Sequence, residues 1–372
     1  MLPLRVAIIG AGVSGLACAH ELERLGIYPD IFEERPRCGE LFPHVAGILQ
    51  LMNRPVRDQL EWLKKEYHLE IHPLATWKKI TMNAPRVKRV VRSGNFGYFL
   101  ERGQGPRSLE TQLVNSLKSR VNYNCRGDYS ALAGEYDYVV VATGNRQVAA
   151  TLGIWKDIFS TMVRGAVVQG KFDPEELIMW VNTDYALGAY AYLTAFSPTR
   201  ASLVLIHANA KPGETERHWV TFLKKEKLDY HIEENFLLEH VAGTAYPHQV
   251  GNILLVGAAG GFMESFLGFG TVSSLRSGVL AARAIRGNRC FTKLADKLDQ
   301  EMRRSVRLRE IINTMENKDY DRLVTTATSP IIKQLFYNTN FPVLKYAGDI
   351  LELVRASVNW EKKSILPTKR SK

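Results

Sequence analysis

Close to the start of the chain, the apolar run Arg5-Val-Ala-Ile-Ile9 passes directly into Gly10-Ala-Gly12-Val-Ser-Gly15. A run of strand formers without polar alternation is the pattern of a strand covered on both faces. Beyond the glycines, Leu16, Ala19, Leu22 and Leu25 recur at helical spacing until Gly26 stops them. A second short run, Ile27-Tyr-Pro-Asp-Ile-Phe32, ends at Glu33 and Glu34. This order predicts a strand–helix–strand unit with a dinucleotide pyrophosphate on the helix N-terminus. Gly10 permits the tight turn, Gly12 lets the backbone through Val13 and Ser14 approach the phosphates, and Gly15 lets helix and strand pack closely. Glu33, about 20 residues past the glycines, suits a ribose hydroxyl and disfavours a 2′-phosphate. Pro29 cannot donate to a ladder and is expected at the beginning of its strand.

Two later segments have the same buried-strand character, and both end in glycine. One is Asp137-Tyr-Val-Val-Val-Ala-Thr143-Gly144. The other, Asn252-Ile-Leu-Leu-Val-Gly257-Ala258-Ala-Gly260-Gly261, continues through Phe262-Met-Glu-Ser-Phe-Leu-Gly268-Phe269-Gly270. A small-residue helix pattern follows from Thr271 to Ile285. Three separated segments therefore converge on one sheet.

This arrangement resembles the FAD-dependent oxidoreductases of the p-hydroxybenzoate hydroxylase fold, and most nearly their geranylgeranyl reductase branch, over residues 4 to 286. The resemblance implies an α/β protein with a discontinuous Rossmann-type FAD-binding domain at 1–75, 100–150 and 250–290. A mixed-sheet substrate or roof domain would occupy 76–99 and 151–249, and a C-terminal helical region 291–372. It also implies FAD as cofactor, with the pyrophosphate on Gly10 to Gly15 and the adenosine ribose at Glu33. Glu34, Thr143, Gly144, Gly257 and Ala258 would complete the binding residues. The isoalloxazine ring would lie beside Gly268, Phe269 and Gly270, and the helix from Thr271 would turn its positive end toward the flavin N1–C2=O region. Arg102, seven residues before Leu109, resembles the arginine that opens a family helix and faces the flavin. Two positions depart from the family. Ala258 stands where an aspartate normally accepts from the ribityl chain. In Pro43-His44-Val45-Ala46-Gly47, Val45 stands where some prenyl reductases carry a cysteine, which makes His44 and Val45 candidates for the substrate lining.

Residues 150 to 250 hold no further GxGxxG, so reducing equivalents are expected from transient NAD(P)H or from a redox protein. Runs such as Gly165-Ala-Val-Val-Gln, Leu177-Ile-Met-Trp-Val and Ala201-Ser-Leu-Val-Leu-Ile predict mixed strands. The stretch Gly188 to Pro198 is similar to the Tyr-x-Trp-x-Phe-Pro lining of prenyl reductases, with Tyr in place of Trp and two extra residues before the Phe. Strand periodicity puts Tyr190, Tyr192, Thr194 and Phe196 on one face, which suits either a core or an apolar cavity. His68, Glu70 and His72 would share a strand face and read as a solvated edge. No catalytic acid is singled out and no metal is expected. Neither HExxH nor GxSxG occurs, so zinc proteolysis and serine hydrolysis lack support.

Lys and Arg outnumber Asp and Glu by 49 to 38, a net charge of +11 that attracts anions. The excess is spread along the chain, with local concentrations in Pro85 to Arg92, which alternates like a solvated strand, and in the basic end from Lys362 to Lys372. No nucleic-acid signature accompanies it, so nucleic acid is not an expected partner. Four cysteines lie far apart, as for reduced thiols. No apolar run of about 18 residues and no signal-peptide pattern is present, so a cytoplasmic protein is expected. Peripheral contact with a membrane surface stays open, with Phe336, Phe341 and Trp360 in the helical end of the chain as contributors. The leading functional expectation is reduction of a carbon–carbon double bond in a prenyl or other apolar substrate by hydride from reduced FAD. Two alternatives stay open: a flavin monooxygenase that hydroxylates or epoxidises an aromatic or alkene, and a flavin-binding or flavin-free partner protein without catalysis.

Overall fold

The computed structural model describes residues 4–39, 42–208, 212–330, 332–334 and 339. One sheet has six strands in the order Gln249–Val250, Ile253–Leu255, Tyr138–Val141, Val6–Ile9, Asp30–Phe32 and Val121–Asn122. All neighbours run parallel except the first pair. The unbroken apolar runs are explained by burial on both sides. Val6 and Ile8 pack with helices Val13–Arg24 and Thr271–Arg286, while Ala7 and Ile9 join Val139, Val141 and Leu255 in a separate core on the opposite face. Pro29 lies just ahead of its strand, where no ladder donor is needed.

The two helices approach at backbone distance. A Cβ on Gly278 would stand 2.1 Å from the carbonyl oxygen of Ser14, and one on Gly15 would stand 2.1 Å from that of Gly10. Only glycine fits at the helix crossing, at Gly278, or beneath the turn, at Gly15.

The second sheet has eight strands in the order His231–Ala245, Trp155–Gln169, Arg200–Ala208, Ala191–Ser197, Glu176–Trp180, Ala75–Asn83, Lys88–Arg102 and His44–Leu49. It is antiparallel except where Ala75–Asn83 meets Glu176–Trp180. The edge strand His44–Leu49 thus belongs to this sheet although it comes early in the chain. Alternation sorts the faces. Ala191, Leu193, Ala195, Leu203 and Leu205 pack with Trp219 and Phe222 of helix Thr215–Lys225. The opposite face turns Tyr192, Thr194, Val204 and Ile206 toward the first domain. In the basic hairpin, Lys88, Arg89, Val90 and Arg92 are exposed and only Val91 is buried, so the two-residue alternation read from sequence holds from Val90 to Arg92 and fails at Arg89, which is exposed although it shares the face of Val91.

Two expectations are corrected. His68, Glu70 and His72 are not on a strand. His68 caps helix Gln59–Tyr67 with a φ of 57°, a left-handed turn that breaks any extended run, and Glu70 pairs with Lys64 at 2.8 Å. Arg102 does not open a helix but ends strand Lys88–Arg102; the helix Leu109–Asn115 starts later, after Ser108 accepts from the Thr111 N–H. Among the described residues, no group of three His, Cys, Asp or Glu is placed to hold a metal, and no helix is long and apolar enough to cross a membrane.

The chain after the sheet forms helices Phe291–Asn313 and Asn317–Ala327, separated where Glu316 and Asp319 make a capping box. Phe336, Phe341, Trp360, the amphipathic pattern at 347–355 and the basic end lie outside the described residues.

Substituting Gly278→Ala is expected to destabilise the fold by about 1–3 kcal/mol, because a backbone carbonyl cannot withdraw; an unchanged urea midpoint would refute the close contact. His207, on the helix-covered face of the second sheet, is fully buried, and its ring stands 5.4 Å from that of His218. Burial first, and then His218, push its pKa down to about 4. The unfolded chain therefore binds a proton near pH 6.5 that the fold refuses until about pH 4. Stability is present above 6.5 and is lost as the pH falls toward 4. Replacing His207 with Leu should flatten the pH dependence of the urea midpoint across that window.

Candidate functional site

Between the two sheets lies a cavity of about 980 Å³, at the upper end of what small-molecule and cofactor sites occupy. It begins at the glycine-rich turn and continues to the loop 262–270 and the inner face of the second sheet. Of the residues singled out from sequence, Gly10, Gly12, Val13, Ser14, Glu33, Glu34, Arg102, Thr143, Gly144, Ala258, Gly268, Phe269 and Gly270 line it, together with His44, Val45, Tyr190 and Tyr192. Three do not. Gly15 is under the turn against Gly10, Gly257 is held at a φ of +59° against the Ser14 hydroxyl, and Phe196 sits in the neighbouring core beneath the Arg200 guanidinium.

At one end, the first turn of helix Val13–Arg24 has no side-chain cap, so its N–H groups are available at the cavity wall. A Cβ on Gly12 would meet nothing within 4 Å, which leaves the backbone open to close approach. The Glu33 carboxylate is buried and fixes the turn by accepting from the N–H of Ala11 at 2.8 Å and of Arg35 at 3.0 Å. Thr143 presents a buried hydroxyl with no partner among the described residues. Ala258 brings no side-chain acceptor to the wall. The second helix, Thr271–Arg286, also starts at the cavity without a side-chain cap. Beside its first residue, Arg102 donates to Glu110 at 2.7 Å and to the Thr271 hydroxyl at 3.4 Å, a buried ion pair that ties strand, helix and helix start together. Two uncapped helix starts on one cavity make a wall that favours negative charge.

The loop leading to Thr271 is organised by a residue the sequence did not single out. The Glu264 carboxylate is fully enclosed and accepts from the N–H groups of Phe266, Leu267 and Phe269 at 2.7–2.8 Å. Burial is the largest influence on it and pushes its pKa up to about 7 against the pull of those N–H groups and of Arg309. Tyr190 donates to the Leu267 carbonyl and joins the loop to the second sheet. His44 and Val45 enter from the edge strand; the Val45 N–H donates to Ser202 at 3.3 Å and its carbonyl accepts from Thr194 at 3.0 Å.

Arg309 also reaches the cavity, although in sequence it is one of several arginines along a charged helix. It shares a helical stripe with Met302, Ser305 and Ile312, all buried, and that spacing was the available signal.

The geometry is that of a Rossmann-type α/β domain roofed by a mixed sheet, and comparisons agree. Residues 8–44 match the family model of the NAD(P)-binding Rossmann-like domain. A comparison with curated protein sequences finds no match. A geranylgeranyl bacteriochlorophyll reductase-like protein from Thermoplasma acidophilum is 14% identical, with a TM-score of 0.69 over 94% of this chain and 99% of that one. A flavin-dependent brominase gives 12% identity and a TM-score of 0.62 over 96% and 99%. Aklavinone-11 hydroxylase, solved with FAD and aklavinone, gives 16% and 0.59 over 86% and 70%. The likeness is one of fold, and at that level the resemblance read from the glycine segments holds.

Glu264→Gln replaces one acceptor oxygen with a donor that faces backbone N–H groups. The expected result is a loss of about 1–3 kcal/mol and faster proteolytic nicking within 265–270; a variant as stable and as resistant as the parent would refute this role.

Proposed function

We propose that the chain is an FAD-dependent oxidoreductase acting on an apolar small molecule, with reduction of a carbon–carbon double bond as the leading chemistry. The carrying observation is the single cavity that joins the glycine-rich turn to the start of helix Thr271–Arg286 beneath the aromatic and aliphatic face of the second sheet. The residues fit the cofactor. Uncapped N–H groups at Val13 and Ser14 suit the pyrophosphate, Glu33 suits the ribose, and the Thr143 hydroxyl lacks a partner that a polar cofactor atom would supply. The positive end of the second helix suits the pyrimidine edge of a flavin. Bound FAD would supply hydride. The protein's part is to orient the substrate against Tyr190, Tyr192 and Val204 and to keep water away from it. The electron source in this reading is NAD(P)H bound transiently or a redox protein.

A protein purified without added cofactor is expected to show a flavin spectrum that bleaches with dithionite. A Cβ at Gly12 meets nothing in the fold and borders the cavity, so Gly12→Ala should weaken flavin binding by about tenfold with an unchanged apoprotein melting curve. Reoxidation of the reduced, anaerobic protein by a prenyl alkene supports double-bond reduction. Oxygen-dependent NAD(P)H consumption that yields a hydroxylated or epoxidised product favours the monooxygenase reading. A colourless protein that rejects added FAD defeats both.

A further inference from the structure

Arg309 projects from helix Phe291–Asn313 to the cavity wall and is 3% exposed. Its Nη2 donates to the Gly188 carbonyl and its Nη1 to the Phe266 carbonyl at 3.5 Å. The face of the guanidinium lies 5.4 Å from the Phe159 ring. Its Nε has no acceptor, and it forms no ion pair among the described residues. A guanidinium has five N–H donors, so two neutral carbonyls leave it far from satisfied. Burial of a cation without a partner is strongly unfavourable, and proteins retain such groups where a ligand supplies the missing charge.

The surroundings do not supply that charge. Phe159, Ala189, Tyr190, Phe266 and Leu267 form this part of the wall, and none is charged. Glu264 is the nearby carboxylate that acts on Arg309 through space, yet its oxygens are taken by the loop N–H groups. Tyr190 spends its hydroxyl proton on the Leu267 carbonyl. The place is also separate from the dinucleotide end, where Glu33 and the uncapped helix Val13–Arg24 lie.

We propose that Arg309 recognises a carboxylate on the substrate, so that the cavity takes an organic acid with an apolar body rather than a neutral lipid. A single buried cation among carbonyls and rings suits one negative charge. A phosphate dianion would need more donors than this wall offers. The planar fork also fixes direction: the acid end is held near Arg309 and the apolar body extends along Tyr190, Tyr192 and Val204. This inference rests on the cavity being the substrate chamber of the function proposed above.

Calorimetric titration of the FAD-loaded full-length protein with benzoate and decanoate, against benzamide and decanamide, tests it. Flavin content is read independently from the visible spectrum. The unaltered protein is expected to bind at least one acid about ten- to hundredfold more tightly than its amide. In Arg309→Gln that preference should vanish while flavin and amide binding persist. Arg309→Lys should keep part of it, since charge remains without the fork. No acid binding, an acid-to-amide ratio near one in the unaltered protein, or a Gln variant that weakens acid and amide alike would overturn the proposal. Should the Gln variant not fold, the ratio in the unaltered protein and in the Lys variant decides. A protein that holds no flavin defeats the functional reading, and the same titration of the flavin-free full-length protein then decides whether the chamber prefers acids.

Discussion

The contact between the Ser14 carbonyl and Gly278 is the constraint on which the site depends. It sets helix Val13–Arg24 against helix Thr271–Arg286 at a distance no side chain permits. The segments are more than 250 residues apart, yet their N-termini open on one cavity. Gly257, held against the Ser14 hydroxyl, brings the end of strand Ile253–Leu255 to the same point. Two positive helix ends side by side repel each other unless something negative lies before them. The packing therefore creates the demand for an anionic cofactor, and the small residues are what make the packing attainable.

The remaining polar groups around the cavity divide by how they are paid in hydrogen bonds. Arg102 and Glu110 meet at 2.7 Å and join three elements, so their charge serves the framework. Glu264 is saturated by backbone N–H groups and shapes the loop before Thr271. Arg309 alone among these is left with donors unmatched. An enclosed cation with only neutral carbonyls for partners and one donor unmatched is the least favourable of the three arrangements, and it marks where the chamber expects a ligand.

Local pattern carried the first domain far. Gly10, Gly12 and Gly15 between Ile9 and Leu16 could serve little but a tight turn and close packing, and Glu33 stood at the right remove. Period-two alternation placed Tyr192 and Thr194 on the cavity side of strand Ala191–Ser197, with Tyr190 just ahead of it on the same side, because that rule depends only on the pleat. The same rule could not tell that Phe196 passes the end of the cavity into the core, since depth along a strand is set by neighbouring strands. Nor could it foresee that the chain at His68 turns left-handed instead of extending.

What the sequence determined by itself was the Rossmann unit, its glycine-rich turn and the aromatic face of the roof, all readable from spacings within about 30 residues. Tertiary structure alone decided that His44–Leu49 joins the second sheet, that Glu264 ties down the loop before the second helix, and that Arg309 reaches the cavity. These outcomes turn on contacts between residues distant in the chain. Whether an arginine in a charged helix faces water or a chamber is fixed by what packs across from it, and local pattern holds no record of that.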